Sequence, residues 1–228
     1  MKMNINEVLR SIKWLLIPYL LILCICLAIK LVYTREEIYF TVNGLNSPLA
    51  DFLAPYATDL GNGWTAIVIS AILALFSYRK AFILATAYAV TSISAQILKF
   101  IFDAPRPMLY FKDQLNRIHF VKDVEMLRVH SFPSGHTVTA FTMAVIFTYW
   151  SKNKAWGPVF LLIAVIVGYS RMYLSEHFFE DVTSGSVIGV IITFIWLYWL
   201  DNKAFLQRPK WQRGLLKPHP NPSPKERG

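Results

Sequence analysis

Charge is scarce in this chain. Asp, Glu, Lys and Arg make up 16% of its 228 residues, where an ordinary soluble domain carries about 25%. That is too little polar surface to cover a water-soluble globule, which argues against a soluble enzyme or a disordered chain. Cysteine is scarcer still: there are two, Cys24 and Cys26, both inside one apolar run. Two positions apart on a helix they do not face each other, which excludes a disulfide scaffold. Acidic residues are the minor charge, 14 against 23 basic, for a formal net charge of +9. Apolar character is abundant, with 55% hydrophobic residues and a mean hydropathy of +0.41. One or at most two domains of an integral membrane protein with basic ends is the class this composition favours.

A helix needs roughly 20 apolar residues to cross ~30 Å of hydrocarbon. The first candidate, Trp14–Val32, follows Lys2, Arg10 and Lys13 in the manner of a signal peptide. It lacks a small-residue cleavage site, so a retained anchor is expected. A polar, aromatic stretch from Tyr33 to Gly63 follows, with the short apolar patch Leu49–Tyr56 read as an interfacial helix. Further spans are expected at Trp64–Phe76, Ala81–Phe102, His136–Trp150, Trp156–Leu174 and Asp181–Leu200. Arg79-Lys80 closes a tight hairpin between the second and third, and a loop of some thirty residues, Asp103 to Pro133, separates the third from the fourth. The predicted fold is all-α, a six-helix membrane bundle over residues 1–200. Residues 201–228 form a basic, proline-rich tail expected to be disordered.

An even number of spans puts both termini on one side. Fourteen of the cations fall on that side and eight on the other, with Lys30 deep in the first span. The excess of Lys and Arg marks the cytoplasmic face, so cytoplasmic termini in an inner membrane are expected. The opposite, non-cytoplasmic face then collects Lys99 and Arg106-Pro107 after span three and Pro133-Ser134-Gly135-His136 at the start of span four. It also receives Ser170-Arg171 at the end of span five, and His177 and Asp181 at the start of span six. Topology alone therefore brings two histidines, three cations and a carboxylate together, and ionisable residues at span ends are functional candidates.

These residue types suit phosphoryl transfer. Fixed cations and amide donors stabilise charge on the non-bridging oxygens through the transition state. Lys99 offers a point charge, and Arg106 and Arg171 offer planar forks for bidentate phosphate contacts. Pro133-Ser134-Gly135 leads into a helix N-terminus, where unpaired N–H groups favour an anion. Gly135 lets the backbone approach, and the Ser134 hydroxyl adds a donor. One histidine can attack phosphorus while another protonates the leaving oxygen. Asp181, four residues after His177, shares its helical face and can hold one ring N–H.

Lys99-x6-Arg106-Pro107, then Pro133-Ser134-Gly135-His136, then Ser170-Arg171-x5-His177-x3-Asp181 resemble the three signatures of the type 2 phosphatidic acid phosphatase superfamily, which includes vanadium haloperoxidases and glucose-6-phosphatase. The motifs span Lys99–Asp181, and the helix layout extends the likeness to about Leu200. The resemblance implies His177 as the nucleophile that forms a phosphohistidine, oriented by Asp181. It implies His136 as general acid and then base. Lys99, Arg106, Ser134, Gly135 and Arg171 would bind the phosphate, with no metal or cofactor. Glu176 and Glu180 stand where relatives commonly carry apolar or small residues, and could raise the pKa of His177 or tune substrate choice.

Each motif alone has a plainer reading. Lys99 could pair with Asp103 at a helix end, Pro-Ser-Gly is an ordinary capping sequence, and His177 with Asp181 could be a structural hydrogen bond. His119 and His130 match no motif and are read as solvated, Lys30 as snorkelling. Gly185 and Gly189 with Ser184 and Ser186 form a small-residue packing face. The function expected is hydrolysis of a lipid phosphate monoester or diphosphate at the outer face, with the bilayer as partner and no nucleic acid. The candidates are phosphatidic acid, phosphatidylglycerol phosphate, undecaprenyl diphosphate and lipid A phosphates. A lipid phosphotransferase and a non-catalytic scaffold or transporter are the alternatives.

Overall fold

Helix starts are written into the local sequence. Asn4 and Glu7 form a capping box ahead of the first helix, Thr34 and Glu37 another ahead of the second, and Ser47, Asn62 and Ser77 cap three more, each satisfying backbone N–H groups that a first turn leaves unpaired. The computed structural model describes residues 4–216. Its helices run α1 (Ile5–Val32), α2 (Arg35–Gly44), α3 (Pro48–Asp59), α4 (Gly63–Phe76), α5 (Tyr78–Phe102), the single turn α6 (Pro107–Tyr110), α7 (Gly135–Trp150), α8 (Gly157–Tyr173) and α9 (Phe179–Asp201). No strand occurs among the described residues, as the all-α expectation requires.

Each of the six apolar segments read from the sequence falls in a helix. Among the described residues four helical stretches are long and apolar enough to cross a membrane: α1, α5 continued to Tyr110, α8 with the 3-10 turn Lys154–Trp156 before it, and α9. α3 and α4, bent by 51° at a short break, together make a fifth candidate. The segment expected to lie at the interface thus belongs to a 12-residue helix that leads directly into the next. α7 has 16 residues, about 24 Å at 1.5 Å per residue, less than the ~30 Å of the hydrocarbon core. Packing is the reason it can be short. Residues 137–146 and Thr148 are all buried, so α7 sits among its neighbours and its ends have no lipid boundary to reach.

α1 shows the opposite environment. Val8, Ile12, Leu15 and Tyr19 are buried along one stripe, while Leu20, Leu21, Ile25, Leu27 and Leu31 are exposed. A helix apolar on every side with one stripe packed is built for lipid. Ser77 both ends α4 and caps α5, giving the tight hairpin expected from Arg79-Lys80.

The folded body continues past residue 200. Two short 3-10 turns, Ala204–Gln207 and Pro209–Gln212, bury Leu206 and set Trp211 edge-on against Phe82 and Phe205 at ring distances of 5.1 and 5.4 Å. Leu215 and Leu216 donate their N–H groups to the carbonyls of Ala74 and Leu75, acceptors that the end of α4 leaves free. The disordered tail expected from residue 201 is therefore corrected up to Leu216: apolar anchors inside the basic stretch and unpaired helix-end carbonyls hold it. Residues 217–228 lie outside the described part of the chain.

Candidate active site

The end of α8, the loop Leu174–Phe178 and the first turn of α9 carry one half of the site. Ser175 takes φ 57°, and its hydroxyl is fixed by the Tyr39 hydroxyl at 2.9 Å and Asn43 Nδ2 at 3.3 Å. This strained corner turns the chain so that Glu176 and His177 point inward. His177 is 1% exposed. Its Nδ1 lies 3.5 Å from Asp181 Oδ2, and its Nε2 faces the other way, 3.4 Å from Arg106 Nη1. The two groups meet without the shared helical face read from the sequence: His177 lies in the loop and only Asp181 is in the helix, whose first residue is Phe179.

Asp181 is held more tightly than the sequence indicates. Its Oδ2 accepts the Ser131 hydroxyl at 2.5 Å and the Phe178 N–H at 2.8 Å. Ser131 Oγ also lies 3.4 Å from His177 Nδ1. Ser131 and Thr58, which accepts from Arg171 Nη1 at 2.9 Å, were invisible to motif reading. Each lies in a different segment, with no spacing signal linking it to the histidine.

Arg106 and Arg171 form the wall behind His177. Arg106 donates Nε to the Val129 carbonyl at 3.0 Å and Nη1 to the Glu176 carbonyl at 3.1 Å, and it pairs with the Glu176 carboxylate. Arg171 Nη2 reaches the same carboxylate at 3.2 Å, while its Nε is buried with no hydrogen-bond partner among the described residues. An orphaned guanidinium N–H in a buried site is costly, and an entering anion would satisfy it. Burial first, then the charges of Arg106, Arg171, Lys99 and His136, hold the pKa of His177 well below 6.5. Removing the charged form in this way keeps a neutral imidazole available.

Lys99, Gly135 and His136 line a cleft of about 200 Å³ with Gly61, Gly63 and Tyr88. Space around the Gly135 α-carbon is open, so this glycine borders the cleft without being forced by crowding. Ser134 is fully buried; its N–H donates to the Asp181 carbonyl at 3.0 Å and its Oγ accepts from Thr137 at 2.9 Å. All eight candidate residues thus gather at one end of the bundle, the arginines, His177 and Asp181 buried and Lys99 and His136 facing the cleft.

Two further histidines have carboxylate partners while staying partly exposed: His119 Nε2 pairs with Asp51 at 2.9 Å, and His130 Nδ1 reaches Asp103 at 3.2 Å. Glu180 turns away from the site to bind Arg35 at 2.5 Å and Lys30 at 3.4 Å, so Lys30 has an ionic partner as well as a lipid-facing stem.

Fold and site together define a multi-pass helical membrane protein with buried arginines and a lysine gathered beside a His–Asp pair at one end of its bundle. Residues 80–205 match the family model of the PAP2 superfamily, and the chain belongs to that superfamily. It is 25% identical over 200 residues to lipid A 4'-phosphatase of Porphyromonas gingivalis, covering 82% of this chain and 80% of that protein. It is 26% identical over 194 residues to undecaprenyl-diphosphatase of Sulfolobus acidocaldarius, covering 80% and 88%. Among solved structures it resembles Aquifex aeolicus LpxE, with TM-score 0.60 and 30% identity over 71% of this chain and 93% of that one. The fold also matches the PAP2 type phosphatidylglycerolphosphate phosphatase of Bacillus subtilis, with TM-score 0.62, 24% identity and coverage of 83% and 98%.

Proposed function

We propose that this chain is an integral membrane phosphatase that hydrolyses phosphate monoester or diphosphate groups of lipids through a phosphohistidine. The observation that carries the reading is the pairing of a buried, neutral His177, whose Nε2 faces Arg106, with the unpartnered Nε of Arg171. That is a nucleophile next to donors in want of an anion. The relatives named as phosphatases of lipid A and of undecaprenyl diphosphate support a lipid substrate, whose tails would stay in the bilayer while its headgroup enters between helices.

In this mechanism a proton on His177 Nδ1 points at Asp181 and leaves the Nε2 lone pair free. Nε2 attacks phosphorus, forming a P–N bond as the P–O bond to the leaving group breaks, and His136 protonates the departing oxygen. His136 then takes a proton from water, the hydroxide attacks phosphorus, and the P–N bond breaks to release phosphate and restore His177. Lys99, Arg106, Arg171, Ser134 and the backbone at Gly135 hold the non-bridging oxygens. These cations supply the positive charge of the site, and the reaction is read as needing no metal. The same phosphohistidine passed to a second lipid would make a phosphotransferase, which a lipid acceptor assay separates from hydrolysis.

The reading includes six membrane-crossing segments within residues 1–200, with α7 as the short central one, and the packed turns up to Leu216 as an extension of that domain. It places the termini in the cytoplasm on the fourteen-to-eight distribution of cations, in the inner membrane with the site facing the periplasm or exterior. The test is phosphate release from purified lipid phosphates in detergent with EDTA present. Wild type is expected to turn over, and His177→Ala and His136→Ala to lose activity by orders of magnitude while remaining folded. Vanadate, a trigonal-bipyramidal mimic, is expected to inhibit. Near-normal turnover by His177→Ala would overturn the covalent mechanism.

A further inference from the structure

The two glutamates of the third motif have separated in space, and the difference between them is informative. Glu180 is neutralised by Arg35 and Lys30 on the outer side of α9. Glu176 is 2% exposed and lies inside the phosphate wall, its Oε2 shared by Arg106 Nη1 and by Arg171 Nη2 at 3.2 Å. Arg106 Nη1 is at the same time 3.4 Å from the attacking nitrogen, His177 Nε2. A single guanidinium nitrogen therefore separates the Glu176 carboxylate from the place where phosphorus must sit.

We propose that Glu176 is a specificity-determining residue that matches the site to a phosphate monoester dianion and disfavours a diphosphate. The inference rests on the phosphatase reading above and names the substrate class of that same site. Two physical effects follow from the position. The carboxylate occupies one fork of each arginine, which fixes both planes and leaves Arg171 Nε to face the substrate. It also removes one unit from the positive charge of Lys99, Arg106 and Arg171 within a buried, weakly screened site. Asp181 is the second carboxylate of the cluster, engaged by Ser131, the Phe178 N–H and the imidazole. What surplus remains suits two negative charges better than the three or more of a diphosphate.

Farnesyl phosphate and farnesyl diphosphate share one tail and differ by one phosphoryl group, so they isolate the effect. With EDTA present, wild type is expected to show a higher kcat/KM for farnesyl phosphate. Glu176→Gln keeps the side-chain shape and removes the charge; it is expected to shift the ratio about tenfold or more toward the diphosphate, whatever its overall loss of activity. Glu176→Asp keeps the charge and is expected to lose activity on both substrates without shifting the ratio. A purely structural role for Glu176 predicts equal losses on both substrates with Glu176→Gln, and an unchanged ratio would overturn the inference. Should that variant not fold, competitive inhibition of wild type decides: orthophosphate is expected to bind more tightly than pyrophosphate, and the reverse order refutes the proposal. Absence of phosphate release from either substrate by wild type would instead count against the phosphatase reading itself.

Discussion

Removal of the Ser131 hydroxyl isolates the part of the site that no motif announces. Ser131 Oγ donates to Asp181 Oδ2 at 2.5 Å and lies 3.4 Å from His177 Nδ1, in a fully buried position. Hydrogen bonds to charged groups contribute about 1.5–3 kcal/mol each, and Asp181 keeps its other donor, the Phe178 N–H at 2.8 Å. Ser131→Ala is therefore expected to reduce turnover about tenfold to 150-fold, the same energy expressed as a ratio. The loss should fall on kcat with little change in KM, because none of the groups proposed to bind phosphate contacts Ser131. Steady-state phosphate release from a short-chain lipid phosphate, measured on wild type, Ser131→Ala, Asp181→Asn and the double variant, tests this. If Ser131 acts through the carboxylate, its removal costs little once Asp181 is Asn. Losses that add to within about 0.5 kcal/mol, or a change confined to KM, would refute the positioning role.

Three further outcomes follow from the geometry. A β-carbon on Gly185 would stand 2.8 Å from the Ser134 carbonyl oxygen and 3.2 Å from Thr137 Cβ; Gly185→Ala must push the start of α7, and His136 with it, and is expected to lower kcat/KM at least about tenfold, whereas Gly44→Ala, with open space around it, should behave as wild type. At the other end of the bundle the buried Asp201 pairs with Arg79 and accepts the Tyr149 hydroxyl at 2.5 Å. Asp201→Ala is expected to cost about 3 kcal/mol, the low end for a broken buried pair because the Arg79 side chain is 26% exposed, lowering the unfolding temperature in detergent while leaving kcat in place. His177, whose pKa burial and neighbouring cations hold well below 6.5, takes up a proton only on unfolding in the range below that value. The unfolded chain then binds more protons, so stability is expected to fall as pH drops below about 6.5, and His177→Asn should flatten the dependence measured by thermal unfolding.

Much of the candidate site was legible because its residues follow rules of spacing and topology. His177 and Asp181 stand four residues apart and meet although His177 precedes the helix that carries Asp181, and the hairpin order delivers Lys99, His136 and Arg171 to one end. What the sequence could not carry were partners from segments with no fixed spacing: Ser131 on Asp181, Thr58 on Arg171, and Tyr39 and Asn43 on Ser175. Composition describes the stretch after residue 200 as basic and proline-rich, while Leu206 and Trp211 within it pack against the body. The sequence offers α7 as the fourth of six spans; its burial on all sides depends on what the other helices do.

By itself the sequence determined the chemistry and the membrane. Apolar runs of span length exist before any contact forms, because a helix satisfies its own backbone in lipid, and apart from Lys30 the charged residues fall at the ends of those runs or between them. Tertiary structure alone decided the states of those charges. It turned one glutamate into the shared partner of two arginines and the other toward Lys30 and Arg35, although they stand four residues apart in the chain. It also left Arg171 Nε without a partner among the described residues and buried His177 among cations. Such outcomes depend on which distant groups meet in a region of low dielectric, where a displacement of a few ångströms changes electrostatic energies severalfold.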